Sequence, residues 1–148
     1  MIIVLFEPQI PQNTGNVVRT CAVTGCGLVL VNPGFSTSNR WLKRAGLDYW
    51  EGVDVQVVED FDAYLASTKA PAYFFSSKAE KSFHEVAYPQ NSLLVFGSET
   101  SGLPEKYHEQ FPEQFVTLPM RPGQRCLNLA TSVGIGAYRA WESQGFSL

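Results

Sequence analysis

Val116-Thr-Leu-Pro-Met-Arg-Pro-Gly-Gln-Arg-Cys-Leu-Asn-Leu-Ala-Thr-Ser132 decides how the C-terminal part of the chain is read. Val116 to Leu118 is a short apolar run that reads as a strand and stops at Pro119. Pro119, Pro122 and Gly123 follow one another closely. The prolines lack an N–H and Gly123 permits positive φ, so neither a ladder nor a helix continues through them. Beyond the loop, Leu129, Val133, Ala137 and Trp141 recur at spacings of four, with Ala130 and Ala140 beside them. That spacing predicts a helix starting near Asn128 with an apolar stripe turned to the core. Its first turn carries free N–H groups and the positive end of the helix dipole, and Arg125, Asn128, Thr131 and Ser132 gather there. The segment has the form of a ligand site, although an ordinary strand-loop-helix connection capped by Asn128 uses the same residues.

Working outward, further short apolar runs read as buried strands: Ile2–Phe6, Leu28–Val31, Val53–Val58, Ala72–Phe75 and Ser92–Phe96. Between the first two lies Pro11-Gln-Asn-Thr-Gly-Asn-Val-Val-Arg-Thr20, where Asn13 or Thr14 can cap a helix that Gly25 and Gly27 end. Phe61, Tyr64 and Leu65 form one side of a short helix capped by Asp60, and Pro104 fits the first turn of another through Tyr107. Strands alternating with helices make an α/β protein with a mostly parallel sheet and flanking helices. In such sheets ligands sit beyond the carboxyl ends of the strands. The loops after Phe6, Phe75, Phe96 and Leu118 all begin there.

The chain of 148 residues, 45% of them hydrophobic, fits one domain, 1–148, with a substantial core. Its net charge of -3 excludes a global basic field of the kind that drives non-specific nucleic-acid binding. Any RNA contact has to rest on a local patch or on one assembled between subunits. Cys21, Cys26 and Cys126 show no paired spacing for zinc or a disulfide framework, so no metal and a reduced, cytoplasmic setting are expected. The apolar start is too short for a membrane span or a signal segment. Gly25-Cys-Gly27 precedes a strand instead of following one, which rejects a dinucleotide fingerprint.

Three polar clusters remain. Asn13, Asn16 and Arg19 fall near one helical face, as they also do on a plain capped surface helix. Gly97-Ser-Glu-Thr-Ser-Gly-Leu-Pro104 lets the backbone approach a ligand and supplies Glu99, though it also suits a plain turn. Arg40, Lys43 and Arg44 interleave with Trp41, Tyr49 and Trp50, a mixture suited to phosphate contact and base stacking as well as to a solvated amphipathic helix.

In order and spacing, Asn13-Thr-Gly-Asn16 with Arg19, Phe96-Gly-Ser-Glu-Thr-Ser-Gly-Leu103, and Leu118-Pro-Met120 with Arg125-Cys-Leu-Asn-Leu-Ala130 resemble the three motifs of the SPOUT RNA 2′-O-ribose methyltransferases. Glu7-Pro-Gln-Ile-Pro-Gln-Asn-Thr-Gly-Asn16 and Arg44-Ala-Gly-Leu-Asp-Tyr49 are similar to their small TrmL type, over essentially the whole chain. The resemblance implies an α/β fold with a C-terminal trefoil knot, a homodimer, S-adenosyl-L-methionine as cofactor, and the ribose 2′-hydroxyl of the wobble nucleotide of tRNA as acceptor, on cytidine or a modified uridine.

It also implies roles. Phe75, Gly97, Glu99, Leu118, Met120, Cys126, Leu127 and Asn128 would hold the cofactor; Arg19, Tyr138, Asn13 and Asn16 would serve transfer; Arg40, Lys43, Arg44 and Arg125 would meet RNA. Two positions depart from the pattern. Cys126-Leu-Asn-Leu-Ala130 stands where Ser-Met-Asn-Leu-Ser is usual, and Ser101 stands where an arginine is usual. The first weakens a hydrogen-bonding group and the second removes a cation. A ribosomal-RNA target, or a silent RNA- or cofactor-binding protein, are the competing readings; retention of Asn13, Asn16, Arg19, Glu99 and Asn128 argues against silence.

Overall fold

The computed structural model describes residues 1–38 and 51–147. Arg40, Lys43 and Arg44 lie outside the described residues. Six strands, β1 (Ile2–Phe6), β2 (Gly27–Val31), β3 (Val55–Val58), β4 (Ala72–Phe75), β5 (Leu93–Phe96) and β6 (Phe115–Val116), form one sheet in the order β3-β2-β1-β5-β4-β6. Every pairing is parallel, with Ile2 opposite Gly27 on one side of β1 and Leu93 on the other. Helices α1 (Pro11–Thr24), α2 (Phe61–Ser67), α3 (Glu105–Gln110) and α4 (Leu129–Ser143) cover both faces.

Burial on both faces explains why the strands read as unbroken apolar runs. Ile3 and Leu5 point into one core with Val17, Val18 and Cys21 of α1 and Val133, Ala137 and Ala140 of α4. Val4 and Phe6 point into the other with Phe61, Phe74, Leu103 and Tyr107. In the first core Gly136 lets α4 lie close: a Cβ there would come 3.0 Å from the Phe96 ring and 3.1 Å from the Phe75 ring. Those two rings stack at 4.5 Å between centroids. In the second, Tyr107 Oη donates to Asp62 at 2.8 Å and Lys106 Nζ donates to it at 2.7 Å. Hydrogen bonds from Lys106 and Tyr107 hold the Asp62 carboxyl below its usual range and join α2 to α3.

Most element ends fall where sequence logic puts them. Asp60 caps α2 by accepting from Ala63 N at 3.0 Å, and Asn128 caps α4. Gly25 closes α1 in the left-handed region at φ 74, as expected of a glycine C-cap. Some ends differ. The start of α1 is not an Asn or Thr cap: Ile10 precedes Pro11 at the first helical position, so Asn13 and Thr14 lie inside the helix. Pro104 likewise sits just before α3 instead of in its first turn. Val53 and Asp54 fall outside β3, Ser92 outside β5, and Thr117 and Leu118 outside β6. The last difference frees Leu118 from the sheet to face a cavity.

The cysteines divide by depth. Cys21 and Cys26 are buried, and burial pushes both thiols up, whereas Cys126 is exposed. Since the thiolate is the reactive form, a thiol-reactive disulfide reagent is expected to modify one cysteine quickly in the native protein and all three only in denaturant. Fast modification of two or three native thiols would contradict this burial.

Candidate active site

A cavity of about 510 Å³ opens beyond the carboxyl ends of β4, β5 and β6. Its floor is Phe75 and Phe96, and its walls come from the loops 76–78, 97–103 and 117–128 with Ile10 and Asn13 of the α1 start. Three separate segments meet here because three parallel strands end side by side. All eight residues expected to hold a cofactor, Phe75, Gly97, Glu99, Leu118, Met120, Cys126, Leu127 and Asn128, line this one space.

The loop after β5 turns back sharply, with Ser98 N donating to Gly102 O at 3.2 Å and Gly102 N to Ser98 O at 3.0 Å. Gly102 adopts φ 64. The return brings backbone against Gly97, where a Cβ would stand 2.4 Å from the Gly102 carbonyl carbon and 2.6 Å from Leu103 N. Only glycine fits between these strands of the loop.

Glu99 ties the site together. Its carboxylate accepts from Gln9 N at 2.8 Å, Ile10 N at 3.1 Å and Asn13 Nδ2 at 3.3 Å. The chain reaches it through Glu7, whose φ of 48 turns the backbone out of β1. Asn13, buried at 6% exposure, passes the connection on: its Oδ1 accepts from Asn128 Nδ2 at 2.9 Å. Asn128 Oδ1 in turn accepts from Ala130 N at 2.9 Å and Thr131 N at 3.4 Å, capping α4. One hydrogen-bonded path therefore joins the start of α1, the β5 loop and the start of α4. No side chain caps the first turn of α1; Glu99 instead binds the N–H groups of Gln9 and Ile10, the two residues that lead into it.

The residues assigned to transfer do not all reach the cavity within one chain. Asn13 lines it. Asn16 and Arg19 are exposed farther along α1, with Arg19 about 9 Å from Asn13 along the axis at the usual helical rise. Tyr138, 46% exposed on α4, belongs to a shallower groove with Phe83, Ile135 and Phe146. Arg125 is exposed beside the cavity and does not line it. Sequence reasoning missed His108 and Thr117 as lining residues, and it placed Ser132 at the start of the last helix without giving it a role in the site. Thr117 and Ser132 stand within the stretch that opened the reading, whereas nothing in the local pattern marks His108.

Against known proteins, residues 1–138 match the SpoU rRNA Methylase family. The chain is similar to the tRNA (cytidine(34)-2'-O)-methyltransferase of Burkholderia ambifaria, 44% identical over 97% of this chain and 96% of that protein. It is likewise similar to the Yersinia pestis protein of the same description, 42% identical over 97% and 94%. A solved structure described as giving structural insights into the 2-OH methylation of C/U34 on tRNA superposes with a TM-score of 0.92 at 41% identity, covering 98% of this chain and 96% of that one. The AviRb methyltransferase of Streptomyces viridochromogenes shares the fold at a TM-score of 0.85 and 19% identity. With the match running through the three segments that enclose the cavity, the chain belongs to the SpoU rRNA methylase family.

Proposed function

We propose that this chain is a tRNA 2′-O-methyltransferase that moves a methyl group from S-adenosyl-L-methionine to the wobble nucleotide, cytidine or modified uridine 34. The single cavity that gathers all eight expected cofactor residues carries this reading. Its volume lies in the usual range for small-ligand sites. Phe75, Leu103, Leu118 and Leu127 offer apolar walls to an adenine ring, and the loop backbones offer donors and acceptors. When bound, the cofactor supplies a methyl group activated on a sulfonium.

Both carboxylate oxygens of Glu99 already accept N–H groups, so Glu99 holds the loops and is not the proton acceptor. A guanidinium is a poor general base, so the role we assign to Arg19 is electrostatic: it steadies a neighbouring phosphate and the alkoxide charge that develops as the hydroxyl loses its proton. The proton passes to water or phosphate.

A homodimer fits the exposed side chains. Asn16, Arg19 and Val23 on α1 and Ile135 and Tyr138 on α4 are exposed, the three apolar ones at 56%, 38% and 46%. Because α1 and α4 pack together, a second copy docked on them would cover these apolar groups and complete a site with Arg19 and Tyr138. The passage of 117–128 beside 97–103, followed by α4 returning over β5, is the segment we assign to the knot. No helix among the described residues is long and apolar enough to cross a membrane, and a tRNA substrate suits a cytoplasmic enzyme.

Labelled S-adenosylmethionine incubated with unmodified tRNA, followed by nuclease mapping, tests the proposal. The label is expected on the 2′-oxygen of the wobble nucleotide. Label in ribosomal RNA alone, or in neither RNA while the protein binds S-adenosylhomocysteine, would overturn it.

A further inference from the structure

The cavity has a charged lip that neither the cofactor assignment nor the transfer residues use. Ser76, Ser77 and Lys78 follow β4 and line the cavity, as does His108 of α3. Among the described lining residues Lys78 is the one obligate cation, and the carboxylate of Glu99 is occupied by three N–H groups. The loop that carries Lys78 is fixed. Ser76 N donates to Val116 O at 2.9 Å, Lys78 N to Ser76 Oγ at 3.2 Å, and Ala79 N to Ser76 O at 3.2 Å. Its side chain is only loosely engaged: Nζ lies 3.8 Å from Glu105 Oε2, with 71% and 67% of the two side chains exposed. Such an exposed pair contributes little and separates readily for a stronger anion.

Resting on the reading of this cavity as the methyl-transfer site, we propose that Lys78 is a substrate contact: it binds a backbone phosphate of the RNA strand as the target ribose enters, exchanging Glu105 for the phosphodiester. Position selects phosphate over the cofactor's own carboxylate. A small ligand in a cavity of this kind is mostly buried, whereas the Lys78 ammonium stands in solvent at the rim, where a polyanion passes. Ser77, exposed beside it, can donate its hydroxyl to the same phosphate. Glu105 acts as a placeholder that lowers affinity for RNA while keeping the lysine directed along the lip.

Two variants of opposite sign test the assignment. Equilibrium binding of unmodified tRNA is measured by fluorescence anisotropy across a salt series, with saturating S-adenosylhomocysteine, and the affinity for S-adenosylhomocysteine is measured separately by calorimetry. Lys78→Gln is expected to weaken tRNA binding by roughly fivefold to tenfold at low salt and to reduce the slope of log affinity against log salt by about one. Its affinity for S-adenosylhomocysteine should stay within about twofold, because most of the lysine side chain is exposed to solvent rather than turned toward a buried ligand. Glu105→Gln is expected to tighten tRNA binding by about twofold to threefold, the scale of one exposed ion pair. Lys78→Gln with an unchanged salt slope, or with weakened S-adenosylhomocysteine and unchanged tRNA, would overturn the phosphate contact while leaving the methyltransferase reading standing. A wild-type protein that binds no tRNA would overturn both.

Discussion

Arg19→Ala should lower methyl transfer by ~10²–10³-fold, the usual effect of deleting one preorganised charge that meets developing negative charge. The protein should stay folded and should bind S-adenosylhomocysteine nearly as well as the wild type. Arg19 lies on the exposed side of α1, beyond the cofactor cavity, and its removal opens no void in the core. Alanine is also a better helix former than arginine by a small margin, so α1 should not suffer. Single-turnover transfer, calorimetric titration and thermal melting together separate these effects. Arg19→Lys should recover only part of the rate, because an ammonium keeps the charge without the planar fork that grips a phosphate through two hydrogen bonds. Wild-type turnover by Arg19→Ala would remove Arg19 from the mechanism.

The second large effect is expected at a residue with no side chain. Gly97→Ala places a methyl group 2.4 Å from backbone carbon and 2.6 Å from backbone nitrogen, neither of which can rotate away as a side chain could. The loop must open, and the Ser98–Gly102 pair of hydrogen bonds must stretch. Overpacking of this kind costs about 1–3 kcal/mol, which for a chain of this size corresponds to a fall in Tm of roughly 2–10 °C. Binding should suffer more than stability does. Opening the loop displaces Glu99, and Glu99 positions Asn13 and through it Asn128, so the cavity wall shifts at three places. We expect S-adenosylhomocysteine affinity to fall by at least about tenfold, one misplaced wall being worth 1.4 kcal/mol or more. Calorimetry on the folded variant measures this directly. An unchanged affinity would show that the 97–103 loop does not form part of the ligand site.

How much of this was legible beforehand depends on the range of the interaction. Local chemistry was readable: Asp60 and Asn128 as caps, Gly25 as a helix end, and apolar runs as strands buried on both faces. The convergence of three loops was also readable, because parallel strands must present their carboxyl ends together. The start of α1 was not. A polar cap was expected at Asn13 or Thr14, but Ile10 takes that place without a capping side chain, and the residues leading into the helix are held by Glu99, about ninety positions away, a contact that leaves no periodic trace. Asn13 was thereby released to bridge two segments. Arg19 and Tyr138 were identified by motif, and their separation from the cavity within one chain could not have been read from spacing. The strand ends were misjudged by one or two residues where apolar character continues past the last ladder bond, as at Leu118.

The position of β1 has a consequence for how the chain acquires this site. β1 precedes the other five strands of the sheet in the chain, yet it lies at the sheet's centre, with Ile2 paired to Leu93 and the α1 start held by Glu99. The sheet half β1-β2-β3 involves contacts closer in sequence and can assemble early. Closure against β5 must wait for most of the chain, and α4 must arrive later still. Long-range parallel pairing is intrinsically slow. The cavity draws on residues from Ile10 to Ser132, so no partly folded chain possesses it. A ligand held there therefore opposes global unfolding and not merely local fraying, adding about 2.7 kcal/mol when its concentration is a hundred times Kd.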